Sequence, residues 1–263
     1  MLSLIPISDA NPTRRFPVMT LILIALNVVA FFQTPGLGQS AESSAYFFEN
    51  APIVCQLTDT CPAGTIPVGP DVETSIPERD LVSFLVSVVF STFLHAGWLH
   101  IIGNMLFLWV FGNNIEDYLG RMKFVLFYLL GGLAASFSHI AWTMFNSSDT
   151  CTNADFAACI PSVGASGAVA AVMGSYMLLY PRARINVLVP IFFFITMVQM
   201  SALAVLAIWF AYQFFIAYQD IAGITEVAWA AHVGGFVFGL IAIFLLGGRP
   251  HRPPPVLQPQ WRY

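Results

Sequence analysis

Charge is scarce in this chain of 263 residues: Asp, Glu, Lys and Arg make up 9% of it and hydrophobic residues 57%, where soluble domains carry about a quarter charged side chains. That balance excludes an ordinary soluble domain and predicts a polytopic membrane protein. No removable signal peptide is expected either. The first apolar run, residues 16–33, follows Arg14 and Arg15 but has no small-residue cleavage site and is long enough to span. Cysteines number four, neither local spacing is CxxC, and their loops hold no histidine, so a zinc site ranks below disulfides and no metal or cofactor is expected. A formal charge of −4 argues against nucleic acid as a partner.

What is present is a series of apolar runs suited to roughly 20-residue spans, at about 16–33, 94–112, 123–143, 163–180, 199–217 and 228–247. The expected fold is all-α, a six-span transmembrane helix bundle. A further apolar stretch, 185–200, contains Pro190 and leaves room for a seventh short element. Three regions follow: an N-terminal segment 1–15, a membrane domain 16–247 that includes a long outer connection 34–80, and a proline-rich tail 248–263.

Basic residues set the orientation, because cytoplasmic loops carry the excess of Lys and Arg. Arg14, Arg15, Arg121, Lys123, Arg182, Arg184, Arg249, Arg252 and Arg262 all fall on one side of the six-span scheme, which puts both ends in the cytoplasm. Acidic residues of the 34–80 connection, Glu42, Glu49, Asp59, Asp71, Glu73, Glu78 and Asp80, fall on the other, with Arg79 as the exception. Cys55, Cys61, Cys151 and Cys159 lie on that same outer side, where disulfides form and persist. Four cysteines allow three connectivities; the pairs 55 with 61 and 151 with 159 would close the shortest loops.

The second, fourth and sixth spans enter the membrane from the outer face. Near their starts lie His100 and Asn104, Ser166, and His232, each about 5–10 Å below the outer loops at the rise of an α-helix. Singly, these have bland readings: Ser166 as a small-residue helix contact, the histidines and Asn104 as interhelical hydrogen-bonding groups. Together they suggest chemistry, since polar groups inside a membrane are costly. A neutral His232 could take the proton of Ser166, and the Ser166 N–H, the His100 ring and the Asn104 amide could hold an oxyanion. The proposed spans hold no carboxylate to orient the base, so a dyad is expected. Gly235 and Gly239, four apart, let the sixth span approach the fourth closely at Gly164, Gly167 and Ala168.

The segments "HAGWLHIIGN", "GASG" and "AHVGGFVFG" resemble the rhomboid family of intramembrane serine proteases, of the six-span bacterial type, over roughly residues 90–247. The resemblance implies Ser166 as nucleophile, His232 as base, and His100 and Asn104 as oxyanion donors, with Gly164 in the adjoining turn. It further implies that His95 helps to hold the outer loop and that Glu116 has a structural role at the cytoplasmic end of the second span. His139 and His251 match nothing in the family. Two departures stand out: Arg79 has no tryptophan partner, and Ala170 occupies the place of an aromatic that packs on the catalytic imidazole in some members. The implied substrates are transmembrane segments of other membrane proteins within the lipid bilayer, cut near their outer ends. The compact layout suggests a bacterial inner membrane.

Two other classes compete. A secondary transporter would need intramembrane carboxylates or broken helices in corresponding halves. A non-catalytic rhomboid-like protein would bind transmembrane helices without cutting them, and the presence of both Ser166 and His232 speaks against it. Oligomeric state is not legible in the sequence.

Overall fold

A computed structural model describes residues 5–146, 159–191, 194–221 and 228–247 of the chain. The first described elements are strand β1 (Ile5–Asp9) and helix α1 (Val18–Gln33), followed by α2 (Ala41–Asn50), α3 (Cys55–Thr58), strands β2 (Thr65–Gly69) and β3 (Val72–Ser75), and α4 (Leu81–Ser91). Next come α5 (Trp98–Leu119), α6 (Arg121–Asn146) and α7 (Ser166–Leu179). Strands β4 (Arg184–Ile191) and β5 (Phe194–Ser201) precede α8 (Ala202–Ile221) and α9 (Trp229–Leu246). Among the described residues three helices, α6, α8 and α9, are long and apolar enough to cross a membrane by length and composition. Helices α1, α4 and α7 are apolar but shorter, and α5 ends in the polar run Asn113, Asn114, Glu116 and Asp117.

The all-α expectation requires correction, because the chain also forms two small sheets. Strands β1, β4 and β5 make an antiparallel sheet in the order β1-β4-β5. Its cause lies in the apolar stretch after α7, which alternates with period two: Ile185, Val187 and Val189 are buried in the main core while the residues between them are not. Branched side chains and Pro190 favour extended backbone over helix. The N-terminal segment, expected only as a cytoplasmic end, supplies the third strand.

The second sheet, the β2–β3 hairpin, belongs to a cap built from the 34–80 connection. Ser40 and Ser43 form a reciprocal capping box at the start of α2. A disulfide joins Cys55 to Cys61 beside a small core of Phe48, Ile53 and Ile66, which removes these two thiols from the zinc alternative. Cys159 is also disulfide-bonded; Cys151 lies outside the described residues, as do His251 and the proline-rich tail. Helix α4, absent from the predicted spans, starts where Asp80 accepts the Ser83 N–H at 2.8 Å.

Helix α7 is the centre of the bundle, packed by α5, α6, α8 and α9. Every residue from Gly167 to Tyr176 is buried. That burial depends on small residues: a Cβ at Gly235 would collide with the Gly167 carbonyl, and one at Gly239 with the Ala171 carbonyl. The backbones of α7 and α9 therefore touch along this face.

Candidate active site

Three first turns meet at one end of the bundle. Ser166 is the first residue of α7, His100 the third of α5 and His232 the fourth of α9. The glycine face that seats α9 on α7 brings their starts together, and Ser166 Oγ lies 2.9 Å from His232 Nε2. Both side chains line a cavity of about 890 Å³, together with His100, Asn104 and Trp209.

Helix geometry gives the serine a polar environment in an apolar bundle. The first backbone N–H groups of a helix have no partner within it, and the positive end of the helix dipole lies there. Ser166 occupies that position on α7. Gly164, just before it, has φ +128°, and a Cβ there would come within 2.8 Å of His100 Cε1 and Nε2. A side chain at residue 164 would thus push the His100 ring away. The Ala96 N–H approaches His100 Nδ1 at 3.4 Å, so Nδ1 is the acceptor and Nε2 carries the proton. Asn104 spends one N–H on the His100 carbonyl at 3.0 Å, which leaves its second N–H available.

Nothing in the sequence pointed to the partner of the other imidazole nitrogen. Gln213 of α8, 2% exposed, places Oε1 2.8 Å from His232 Nδ1. The Trp209 ring, one turn earlier, lies with its centroid 5.8 Å from that of His232 at 46°. It supplies from another helix the aromatic neighbour that Ala170, fully buried, does not. His139, which matches nothing in the family, lines the cavity from α6. The cap contributes as well, since Phe47 and Phe48 of α2 form part of the wall.

The remaining predicted residues are spread around this core. His95 is fully buried; its Nδ1 donates to the Phe93 carbonyl at 3.3 Å, and its ring meets that of His100 edge-on at 5.0 Å. The His95 carbonyl packs on Gly38 of the cap. Glu116 sits at the opposite end of α5. Its Oε1 accepts from the Met19 N–H at 3.0 Å, and its Oε2 from the Thr20 N–H at 2.7 Å and the Thr20 hydroxyl at 2.8 Å. It therefore caps α1, whose own N-cap residue, Pro17, makes no side-chain cap.

A serine–imidazole pair at a helix start thus faces a cavity within a helical membrane bundle, and the sequence comparisons give the family of that bundle. Residues 83–249 match the rhomboid domain model; the chain belongs to the rhomboid family and is an integral membrane protein. Among its relatives, the presenilin-associated rhomboid-like protein A, mitochondrial, of Danio rerio is 31% identical over 58% of this chain and 35% of its own length. Rhomboid protein 1, mitochondrial, of Saccharomyces cerevisiae is 32% identical over 41% of this chain and 29% of its own. The rhomboid protease GluP of Bacillus subtilis is 26% identical over 59% of this chain and 24% of its own. The matched part thus spans about a third or less of each of these relatives, which include mitochondrial as well as bacterial proteins.

Proposed function

We propose that this protein is an intramembrane serine endopeptidase that cuts transmembrane segments of other membrane proteins. The observation that carries the reading is the 2.9 Å approach of Ser166 Oγ to His232 Nε2, at the start of a helix and on the wall of a cavity. His232 Nε2 takes the hydroxyl proton as Oγ attacks the substrate carbonyl. Charge developing on the carbonyl oxygen is met by the Ser166 N–H, His100 Nε2–H and the Asn104 amide. The protonated imidazole then gives its proton to the leaving amine, and a water entering through the cavity hydrolyses the acyl-enzyme by the same route in reverse.

A six-span arrangement of α1 and α5 to α9 accommodates this chemistry. Helix α7 is short for a span, yet it is enclosed by its neighbours and has little lipid to match. The cap and its disulfide face an oxidising compartment, with both basic ends opposite and the cavity near the outer surface. A substrate helix must unwind locally there, since its carbonyls are otherwise held within its own hydrogen bonds. The N-terminal segment 1–15, the membrane domain 16–247 with the cap included, and the proline-rich tail 248–263 form the domain plan.

Labelling with a fluorophosphonate, in wild type and Ser166→Ala, tests the nucleophile: label on wild type alone supports it, and equal label on both rejects it. His232→Ala should abolish cleavage of a reconstituted transmembrane substrate while the protein stays folded. Substantial residual turnover would refute the base assignment, whereas a wild type that neither labels nor cleaves would favour a protein that binds transmembrane helices without cutting them.

A further inference from the structure

We propose that Gln213 is a positioning residue that holds His232 in the tautomer a general base requires, an inference that rests on the reading of Ser166 and His232 above. An imidazole can accept the serine proton at Nε2 only if its single proton is on Nδ1. Gln213 sets that choice if its oxygen, not its nitrogen, faces Nδ1. Its own second contact decides which: the Gln213 Nε2 lies 3.2 Å from the Trp209 carbonyl, and a carbonyl accepts from the amide nitrogen and not from the oxygen. Oε1 is thereby turned to His232, 2.8 Å from Nδ1. Nδ1 must donate, and Nε2 is left bare toward Ser166 Oγ at 2.9 Å.

The arrangement is a chain of four groups on three helices: the Trp209 carbonyl and Gln213 on α8, His232 on α9 and Ser166 on α7. A neutral amide does what the carboxylate of a Ser-His-Asp site does for orientation, without placing a charge in the apolar bundle. It would not stabilise the imidazolium as a carboxylate does. Trp209 fills one side of the ring, so the imidazole is held by packing as well as by hydrogen bonding.

The test uses the full-length protein in detergent or liposomes and has two arms. Nitrogen NMR of ¹⁵N-histidine-labelled wild type should show His232 protonated at Nδ1 and bare at Nε2, assigned by loss of the signals in His232→Ala. In Gln213→Leu the two tautomers should mix. In the kinetic arm, Gln213→Leu should lower kcat by at least about 10-fold, part of the 10²–10⁴-fold that a positioned base contributes, with KM changed less than about twofold. Gln213→Glu, which retains an acceptor at that place, should recover most of the loss. An unchanged NMR pattern in Gln213→Leu, or kcat within twofold of wild type, would overturn the proposal. Because the spectroscopic arm needs no turnover, a wild type that shows the expected tautomer but neither labels nor cleaves would reject the protease reading while leaving the role of Gln213 in place.

Discussion

Two polar clusters occupy opposite ends of the bundle, and they differ in what is left over. At the end away from the cavity, Asp9 accepts from the Tyr176 hydroxyl at 2.6 Å and from Asn114 Nδ2 at 2.8 Å. Asn114 Oδ1 accepts from Asn11 Nδ2 at 2.7 Å, and its other N–H goes to Asn113 at 2.9 Å. Glu116 uses both oxygens on the start of α1. These groups satisfy one another, and together they pin β1 and α1 to α5 and α7. At the other end, Ser166, His100 and Asn104 keep lone pairs or N–H groups turned to a cavity of about 890 Å³. Buried polarity alone therefore does not distinguish a site from a clasp; unspent hydrogen-bonding capacity beside open space does.

Substitutions can break that contrast, beginning with the contact that supports the cluster at the cavity. Gly239→Leu would drive a side chain into the Ala171 carbonyl and separate α9 from α7; we expect loss of both the folded state and fluorophosphonate labelling, and a thermal unfolding profile like that of wild type would contradict the packing described. Asn104→Ala should cost about 3 kcal/mol in the barrier, roughly 10²-fold in kcat, with little change in unfolding temperature. Glu116→Ala should do the reverse. Three donors at the start of α1 lose their acceptor, a loss of about 2 kcal/mol of stability, while kcat per folded molecule stays the same. A fall in kcat with unchanged stability would mean that the cluster away from the cavity takes part in catalysis.

Asp9 offers the smallest effect. Burial raises its carboxyl above the ordinary carboxylate value, against hydrogen bonds that favour the charge, the largest from Tyr176. A carboxyl raised on folding adds most stability below its unfolded value of 3.8, and that contribution fades as pH rises through the folded value. Asp9→Asn, which keeps an acceptor for Tyr176, should therefore be neutral or slightly stabilising at pH 7, by under about 1 kcal/mol. Its advantage should shrink as pH falls toward 4. Unfolding temperatures in detergent at several pH values would show this, and marked destabilisation at pH 7 would mean that the charge itself is needed.

Parts of this organisation are legible in sequence because their signals are local. Ser166 between small residues, His100 and Asn104 one helical turn apart, and His232 ahead of two spaced glycines each sit in a short pattern. Gln213 has none: a single amide in an apolar helix looks like any other interhelical hydrogen-bonding group, and its value depends on which nitrogen it meets. The stretch after α7 misleads for another reason. Its apolar content fits a helix, but the alternation that buries Ile185, Val187 and Val189 has meaning only once β1, far away in sequence, supplies the neighbouring strand.

Composition by itself determined that this chain lives in a membrane, because nothing else solvates so many apolar side chains beside so few charges. Short motifs determined which side chains could react, because helical spacing puts residues four apart on one face. Only the tertiary structure decided what holds the imidazole, how the cap lines the cavity and which polar groups are already spent. Those outcomes depend on distances between helices, and the packing of whole backbones sets such distances.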